Sequence, residues 1–130
     1  MRILTISGSL RAKSSNTAVL DAVALVAPLG VTIVRYDGLG GLPHFNPDLD
    51  TETPPGPVAD LRRQVGEADG LLLSSPEYAH GIAGSFKNGV DWLVGSLEFP
   101  GKPIGIINAA PRATHAEAHC AKFSVPCRRR

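Results

Sequence analysis

The sequence has few cysteines, no long apolar run and no pattern typical of a cleavable leader. Its two cysteines, Cys120 and Cys127, lie in the last eleven of 130 residues, and their spacing fits neither a disulfide framework nor a metal-ligand set. No stretch approaches the roughly 20 apolar residues that span a bilayer. The start, Met1-Arg2, leads into a β-type run that stops at Gly8 without a signal-peptide cleavage pattern. These absences predict a cytoplasmic protein without a membrane partner.

The sequence also lacks an excess of charge of either sign. Thirteen Lys and Arg residues face twelve Asp and Glu residues, so the formal net charge is +1. The sequence therefore gives no basic surplus for a nucleic-acid partner and no acidic tract typical of a disordered arm. With 43% apolar and 19% charged residues, the composition is that of one globular domain.

Apolar, β-branched runs alternate with helical patterns along the chain. Helices are expected after the Ser14-Ser15-Asn16 cap, from about Pro57, and over residues 85–95. This alternation predicts an α/β domain with a doubly wound parallel sheet and helices on both faces, in three layers. The predicted strands cover residues 2–7, 31–36, 70–74 and 102–108.

In such a sheet, ligands bind beyond the carboxyl ends of the strands, which here means loops 8–16, 75–84 and 109–115. The first loop is rich in hydroxyl groups, contains two cations and opens a helix, a combination that suits a phosphate monoester. It is not a Gly-x-Gly-x-x-Gly dinucleotide loop, nor an NTPase phosphate loop. The alternative is an ordinary capped helix after a buried strand.

The second of these loops contains groups that could line a flat ring or take part in catalysis. Tyr78 could border a ring, while Glu77 and His80 could act as acid and base or could simply be surface residues. No Gly-x-Ser-x-Gly hydrolase elbow is present. Lys87 and Asp91 share one helix face, which is either solvated or a subunit interface.

Three segments together resemble the NAD(P)H-dependent FMN reductase family, which includes bacterial quinone and chromate reductases. Order and spacing agree with that family from residue 2 to about residue 117. The matching residues are Gly8-Ser9-Leu10-Arg11 with Ser14 and Asn16, then Ser75-Pro76-Glu77-Tyr78, then Lys87-Asn88 with Asp91-Trp92.

The resemblance implies a flavodoxin-like fold with one FMN per subunit. Family members usually have Asn where this chain has Ala79, and residues 109–112 would border the other end of the ring. The helix with Lys87 and Asp91 would pack between subunits of a homodimer or homotetramer. The FMN phosphate would be held by Ser9, Arg11, Ser14, Ser15, Asn16 and Thr17, and the isoalloxazine lined by Pro76, Glu77, Tyr78 and Ala79.

The implied function is transfer of reducing equivalents from NADPH or NADH, through bound FMN, to a small-molecule acceptor such as flavin or quinone. The flavin supplies the chemistry, so no catalytic side chain and no metal is required. Two alternatives stay open: a flavodoxin-like electron carrier, although carriers of that type tend to be strongly acidic, and a non-catalytic truncated remnant.

The end of the chain departs from the family pattern. A flavodoxin-like sheet has five strands, and the sequence predicts four, so we expect the fifth strand and last helix to be missing. The domain is expected over residues 1–117, followed by an atypical tail, 118–130, without a helical period from His119. For one choice of synonymous codons, a shifted reading frame turns this tail into an amphipathic helix. We therefore expect a frameshift near residue 118, which the DNA sequence would test.

Overall fold

The computed structural model describes residues 1–110 and 114–123. Its helices and strands, in chain order, are β1 (Arg2–Ser7), α1 (Ser15–Leu25), β2 (Thr32–Tyr36), α2 (Gly56–Glu67), β3 (Gly70–Ser74), β4 (Glu77–Tyr78), β5 (Gly81–Ile82), α3 (Gly84–Val94), β6 (Ile104–Ile106) and α4 (Thr114–Phe123). Two single 3₁₀ turns, Leu39–Gly41 and Pro47–Leu49, lie in the long loop between β2 and α2.

Four of the strands form one parallel sheet in the order β2-β1-β3-β6. The first strand lies between the second and third, so that Ile6 pairs with Tyr36 on one side and with Leu73 on the other. Connections from β1 to β2 and from β2 to β3 therefore run to opposite sides of β1. The strand order reverses between β1 and β3, which is the switch point where ligands bind in this class of sheet.

Helices cover both faces of the sheet and give three layers. Alternate strand residues such as Leu4 and Leu73 point into a core that also contains Val58 and Leu61 of α2 and Phe86 of α3. Helix α1 lies on the opposite face, over β1, β2 and β3. The side-chain alternation of a strand, with successive residues on opposite faces, explains why one strand serves both layers. The predicted three-layer α/β fold is confirmed.

Two features of the structure differ from the sequence-based expectation. Residues 75–84, predicted as a loop, contain the hairpin β4–β5, whose two-residue strands are too short to show a period. The sequence shows no helical period from His119, yet residues 119–123 are helical and continue α4. That helix buries Ala116 and Cys120, an i, i+4 pair, so its inward face is made of small residues that carry little apolar signal.

In the last third of the chain, some predictions concern residues that the structure does not describe, and one strand is shorter than predicted. Residues 111–113, which include Pro111 and Arg112, and residues 124–130 lie outside the described residues. The fourth strand of the sheet covers Ile104–Ile106, against the predicted 102–108. Among the described residues, no helix combines the length and the apolar character needed to cross a membrane.

Candidate functional site

A cleft of about 390 Å³ opens at the carboxyl ends of β1 and β3, at the switch point of the sheet. It lies between the loop that enters α1 and the hairpin β4–β5, with Ala110 after β6 completing the wall. Eight of the ten residues predicted from the sequence to bind the cofactor line it: Ser9, Arg11, Ser14, Ser15, Asn16, Pro76, Glu77 and Tyr78.

The N-terminus of α1 forms the polar end of the cleft. Ser14 is the N-cap residue, and its Oγ accepts a hydrogen bond from the Thr17 backbone N–H at 3.3 Å. The first N–H groups of an α-helix have no carbonyl partner within the helix, so those of Ser15 and Asn16 remain for a ligand. No acidic residue occupies the first turn, which leaves the positive end of the helix dipole uncompensated there. This end of the cleft suits an anion.

Side-chain hydroxyls shape the loop that leads into α1. The Ser9 N–H donates to Ser7 Oγ at 3.3 Å, and the Arg11 N–H donates to Ser9 Oγ at 3.4 Å. Thr17 Oγ1 donates to Ser7 Oγ at 2.9 Å. The hydroxyl of Thr17, one of the predicted phosphate ligands, is thus turned toward the strand, and Thr17 is not part of the cleft wall.

Asn16 is held by a buried hydrogen bond across the switch point. Its Oδ1 accepts from the hydroxyl of Ser74, the last residue of β3, at 2.9 Å, and both residues are buried. With the carbonyl oxygen occupied in this way, the amide N–H₂ of Asn16 is the part that remains to donate to a ligand. This contact spans 58 residues of sequence, and no local pattern could have revealed it.

The loop after β3 forms the second wall and approaches the first loop closely. Ser75 Oγ accepts from the Ala83 N–H at 3.3 Å, which closes the hairpin base. A Cβ at Gly8 would lie 2.6 Å from Ser75 Oγ and 2.9 Å from Ser75 Cβ, so only glycine allows this approach. Tyr78 stands half exposed at the mouth, while Ala79, the other predicted ring contact, lies in the hairpin turn outside the cleft wall.

Glu77 joins the cleft to helix α4. Its Oε2 accepts from the backbone N–H of His115 at 2.9 Å and of Ala116 at 3.1 Å. The hydrogen bond from Ala116, followed by that from His115, holds the pKa of Glu77 below its usual range. A carboxylate that is ionised and committed to a helix N-terminus is poorly suited to act as a general acid. The structure thus gives Glu77 a capping role that the sequence did not reveal.

Comparisons with known proteins agree on one family. A sequence model of the NADPH-dependent FMN reductases matches residues 1–124. An NAD(P)H-dependent FMN reductase of Pseudomonas aeruginosa is 41% identical over 113 residues, covering 85% of this chain and 60% of that protein. A 2-hydroxy-1,4-benzoquinone reductase of a Burkholderia species is 33% identical over 135 residues, covering 96% of this chain and 73% of the relative.

Comparison with solved structures supports the fold. The flavoenzyme NAD(P)H:(acceptor) oxidoreductase FerB from Paracoccus denitrificans superposes with a TM-score of 0.83 at 27% identity, over 94% of this chain and 70% of FerB. An azoreductase from Bacillus anthracis superposes with a TM-score of 0.70 at 17% identity and shares the fold. The chain spans about 60% of the length of its Pseudomonas relative. On the sequence match and the fold together, the chain belongs to the NADPH-dependent FMN reductase family.

Proposed function

We propose that this chain binds FMN in the cleft at the β1/β3 switch point and that the flavoprotein passes reducing equivalents from NADPH or NADH to a flavin, a quinone or a similar acceptor. The observation that carries the proposal is the convergence of two loops, distant in sequence, on one cleft with a polar, anion-binding end. Family membership supports the same assignment.

The donor set at the polar end fits a phosphate monoester. Two helix N–H groups without a partner among residues 1–110 and 114–123, the hydroxyls of Ser9 and Ser15, and the guanidinium of Arg11 all border the same space. Arg11 is exposed, and its five donors can grip two phosphate oxygens at once. Asn16 would add a neutral donor, oriented by Ser74. Together these groups match the charge and the hydrogen-bonding capacity of a terminal phosphate.

The other end of the cleft fits a flat ring. It is bordered by the pyrrolidine ring of Pro76, the aromatic side chain of Tyr78 and the methyl group of Ala110. When bound, FMN would supply hydride acceptance and redelivery, chemistry that needs no protein nucleophile. The residues of this chain would hold the phosphate, orient the ring and leave one face open to the nicotinamide and then to the acceptor. Ionised Glu77 would keep α4 docked beside that opening.

A homodimer or homotetramer, located in the cytoplasm, is the form that we propose for the active protein. The outward face of α3 carries the Lys87–Asp91 ion pair, and Val94 and Leu97 are exposed just beyond it. Exposed apolar side chains beside an ion pair suit a subunit interface, in which the apolar groups are buried and the charged groups align the two subunits. Sedimentation velocity would test this, and a monomer at every accessible concentration would contradict it.

Flavin reduction tests the proposed activity. FMN-loaded protein is mixed with NADPH, and separately with NADH, without oxygen while flavin absorbance is followed; benzoquinone is then added. We expect bleaching by one or both nucleotides and full return of colour on addition of the quinone. A bound flavin that dithionite reduces but neither nucleotide reduces would instead indicate an electron carrier, and failure to bind FMN a remnant without the activity.

A further inference from the structure

Three metal-ligating side chains converge at the edge of the cleft, away from the loop that enters α1. Glu77 lies on β4, His80 in the turn of the hairpin and His115 in the first turn of α4. Glu77 Oε1 is 3.7 Å from His80 Nδ1, and the His80 and His115 rings lie 5.1 Å apart in an edge-on arrangement. One ligand atom from each of the three residues falls within 4.8 Å of the other two.

The two oxygens of Glu77 have separate environments. Oε2 is engaged by the N–H groups of α4, whereas Oε1 faces His80. Glu77 is therefore fixed in place with one oxygen directed at the imidazoles, as carboxylate ligands commonly are when a second contact orients them. Ligand atoms around a tetrahedral zinc ion lie roughly 3.5 Å apart, given metal–ligand distances of about 2.0–2.2 Å. Small rotations of two exposed imidazoles would reach this spacing.

The turn that presents His80 is unfavourable for the residues it contains. Tyr78 pairs with Gly81, so Ala79 and His80 form a two-residue hairpin loop, and both have left-handed backbones, with φ of 48° and 59°. Such turns favour Asn-Gly, because most side chains are strained at positive φ. In this turn, a histidine takes the position that glycine would fill with least strain, and its imidazole lies next to Glu77.

We propose that Glu77, His80 and His115 bind a divalent transition-metal ion, with Zn²⁺ the best match to one carboxylate and two imidazoles. The three ligands leave one coordination position open. The bound ion would clamp the hairpin β4–β5 to α4 at the edge of the flavin cleft, since its ligands come from both elements. Glu77 also lines the flavin cleft, but the three ligands lie away from its phosphate end, and metal binding can be measured without flavin.

The test is titration of metal-stripped protein with Zn²⁺ by calorimetry, on the full chain and two variants. His80→Gly removes one ligand and relieves the strained turn, and His115→Ala removes another at a helix position that tolerates alanine. We expect one Zn²⁺ per chain and an affinity loss of at least about tenfold in each variant, since even supporting contacts of metal ligands are worth that much. His44→Ala, an exposed histidine in the loop after β2, is the matched control and should bind as the parent does.

Folding and ligand identity are checked separately. His80→Gly should unfold at equal or higher urea concentration than the parent without metal, which would show that the lost affinity is not lost structure. Co²⁺ bound at the site should give visible bands of nitrogen and oxygen ligation without a thiolate charge-transfer band. Unchanged Zn²⁺ affinity in both variants, or a thiolate band that disappears in Cys127→Ser, would overturn the proposal.

Discussion

At the scale of single residues, buried hydroxyls connect the candidate site to the sheet. Ser7 accepts from Thr17, and Ser74 donates to Asn16, so the last residues of β1 and β3 each hold one residue of the first turn of α1. The helix N-terminus is thereby fixed relative to the two strands that define the switch point. Such preorganisation lowers the cost of ordering a site around its ligand.

The contact between Ser74 and Asn16 predicts a difference between two serine-to-alanine substitutions. Ser74→Ala leaves the buried Oδ1 of Asn16 without its donor, and we expect a loss of about 1–3 kcal/mol in the free energy of unfolding. Ser96 is also buried, but its hydroxyl has no hydrogen-bond partner among residues 1–110 and 114–123. Ser96→Ala should therefore be neutral or slightly stabilising.

Urea denaturation of both variants under the same conditions measures this difference. FMN titration of Ser74→Ala adds a functional readout, because a misoriented Asn16 would also weaken phosphate binding. Equal destabilisation by the two substitutions would show that the hydrogen bond to Asn16 contributes nothing specific.

The sequence predicted which residues line the candidate cleft better than it predicted the contacts that these residues make. Ser9, Arg11 and Tyr78 could be placed because they occupy loops that follow predicted strands. The turning of Thr17 toward Ser7 and the capping of α4 by Glu77 could not be predicted. Both depend on partners 10 or 38 residues away, and side-chain direction is decided by packing that local spacing does not encode.

At the scale of elements, the close approach of two loops decides the shape of the cleft. The chain leaves β1 at Gly8 and passes close to Ser75, the residue after β3, and to Phe86 of α3. The Gly8 N–H also donates to the Ser74 carbonyl at 2.8 Å, which extends the ladder between the two strands by one residue. The two walls of the cleft are thus joined at their base.

Gly8→Ala should disturb this junction. Its Cβ would meet Ser75 at 2.6 and 2.9 Å and the Cβ of Phe86 at 3.1 Å, distances that require the backbone to shift. We expect a cost of about 1–3 kcal/mol, as for other overpacked sites, measured as a lower urea midpoint.

Gly56→Ala is the matched control for this substitution. Gly56 is the first residue of α2, and a Cβ there would meet nothing within 4 Å. Alanine should be neutral or stabilise by up to about 1 kcal/mol through reduced freedom of the unfolded chain. If Gly8→Ala were as well tolerated as this control, the close junction would not be a constraint on the fold.

Elements with a clear period could be predicted, and those built from small or few residues could not. The three long apolar strands and the helices α1 to α3 lie where β-branched runs and i, i+4 spacing place them. The hairpin has too few residues for alternation, and its turn lacks the Asn-Gly signal. Helix α4 depends on tertiary contact, with Glu77 at its start and small buried residues along its length.

At the scale of the whole molecule, the two faces of the sheet differ. One face is sealed by α2 and α3, which contribute Trp92, Phe86 and Val58 to the core. The other carries α1 and an apolar groove of about 470 Å³ beside it, with Val23 on the helix side and Leu72 on the sheet side. The candidate site lies at the carboxyl ends of β1 and β3, two strands that pack on one side against the core formed with α2 and α3.

The most direct test of the account compares FMN with riboflavin, which lacks the phosphate. Both are titrated into the purified chain while quenching of flavin fluorescence is followed. The proposed phosphate contacts predict that FMN binds about 100-fold more tightly than riboflavin or better, since several charge-assisted hydrogen bonds would distinguish them.

Arg11→Ala should weaken FMN binding by about tenfold or more and leave riboflavin binding unchanged. Arg63→Ala, which removes an exposed arginine paired with Asp60 and Glu67 on α2, should change neither affinity. Equal affinities for FMN and riboflavin, or an Arg11→Ala variant that weakens both alike, would contradict the claim that the N-terminus of α1 is a phosphate site.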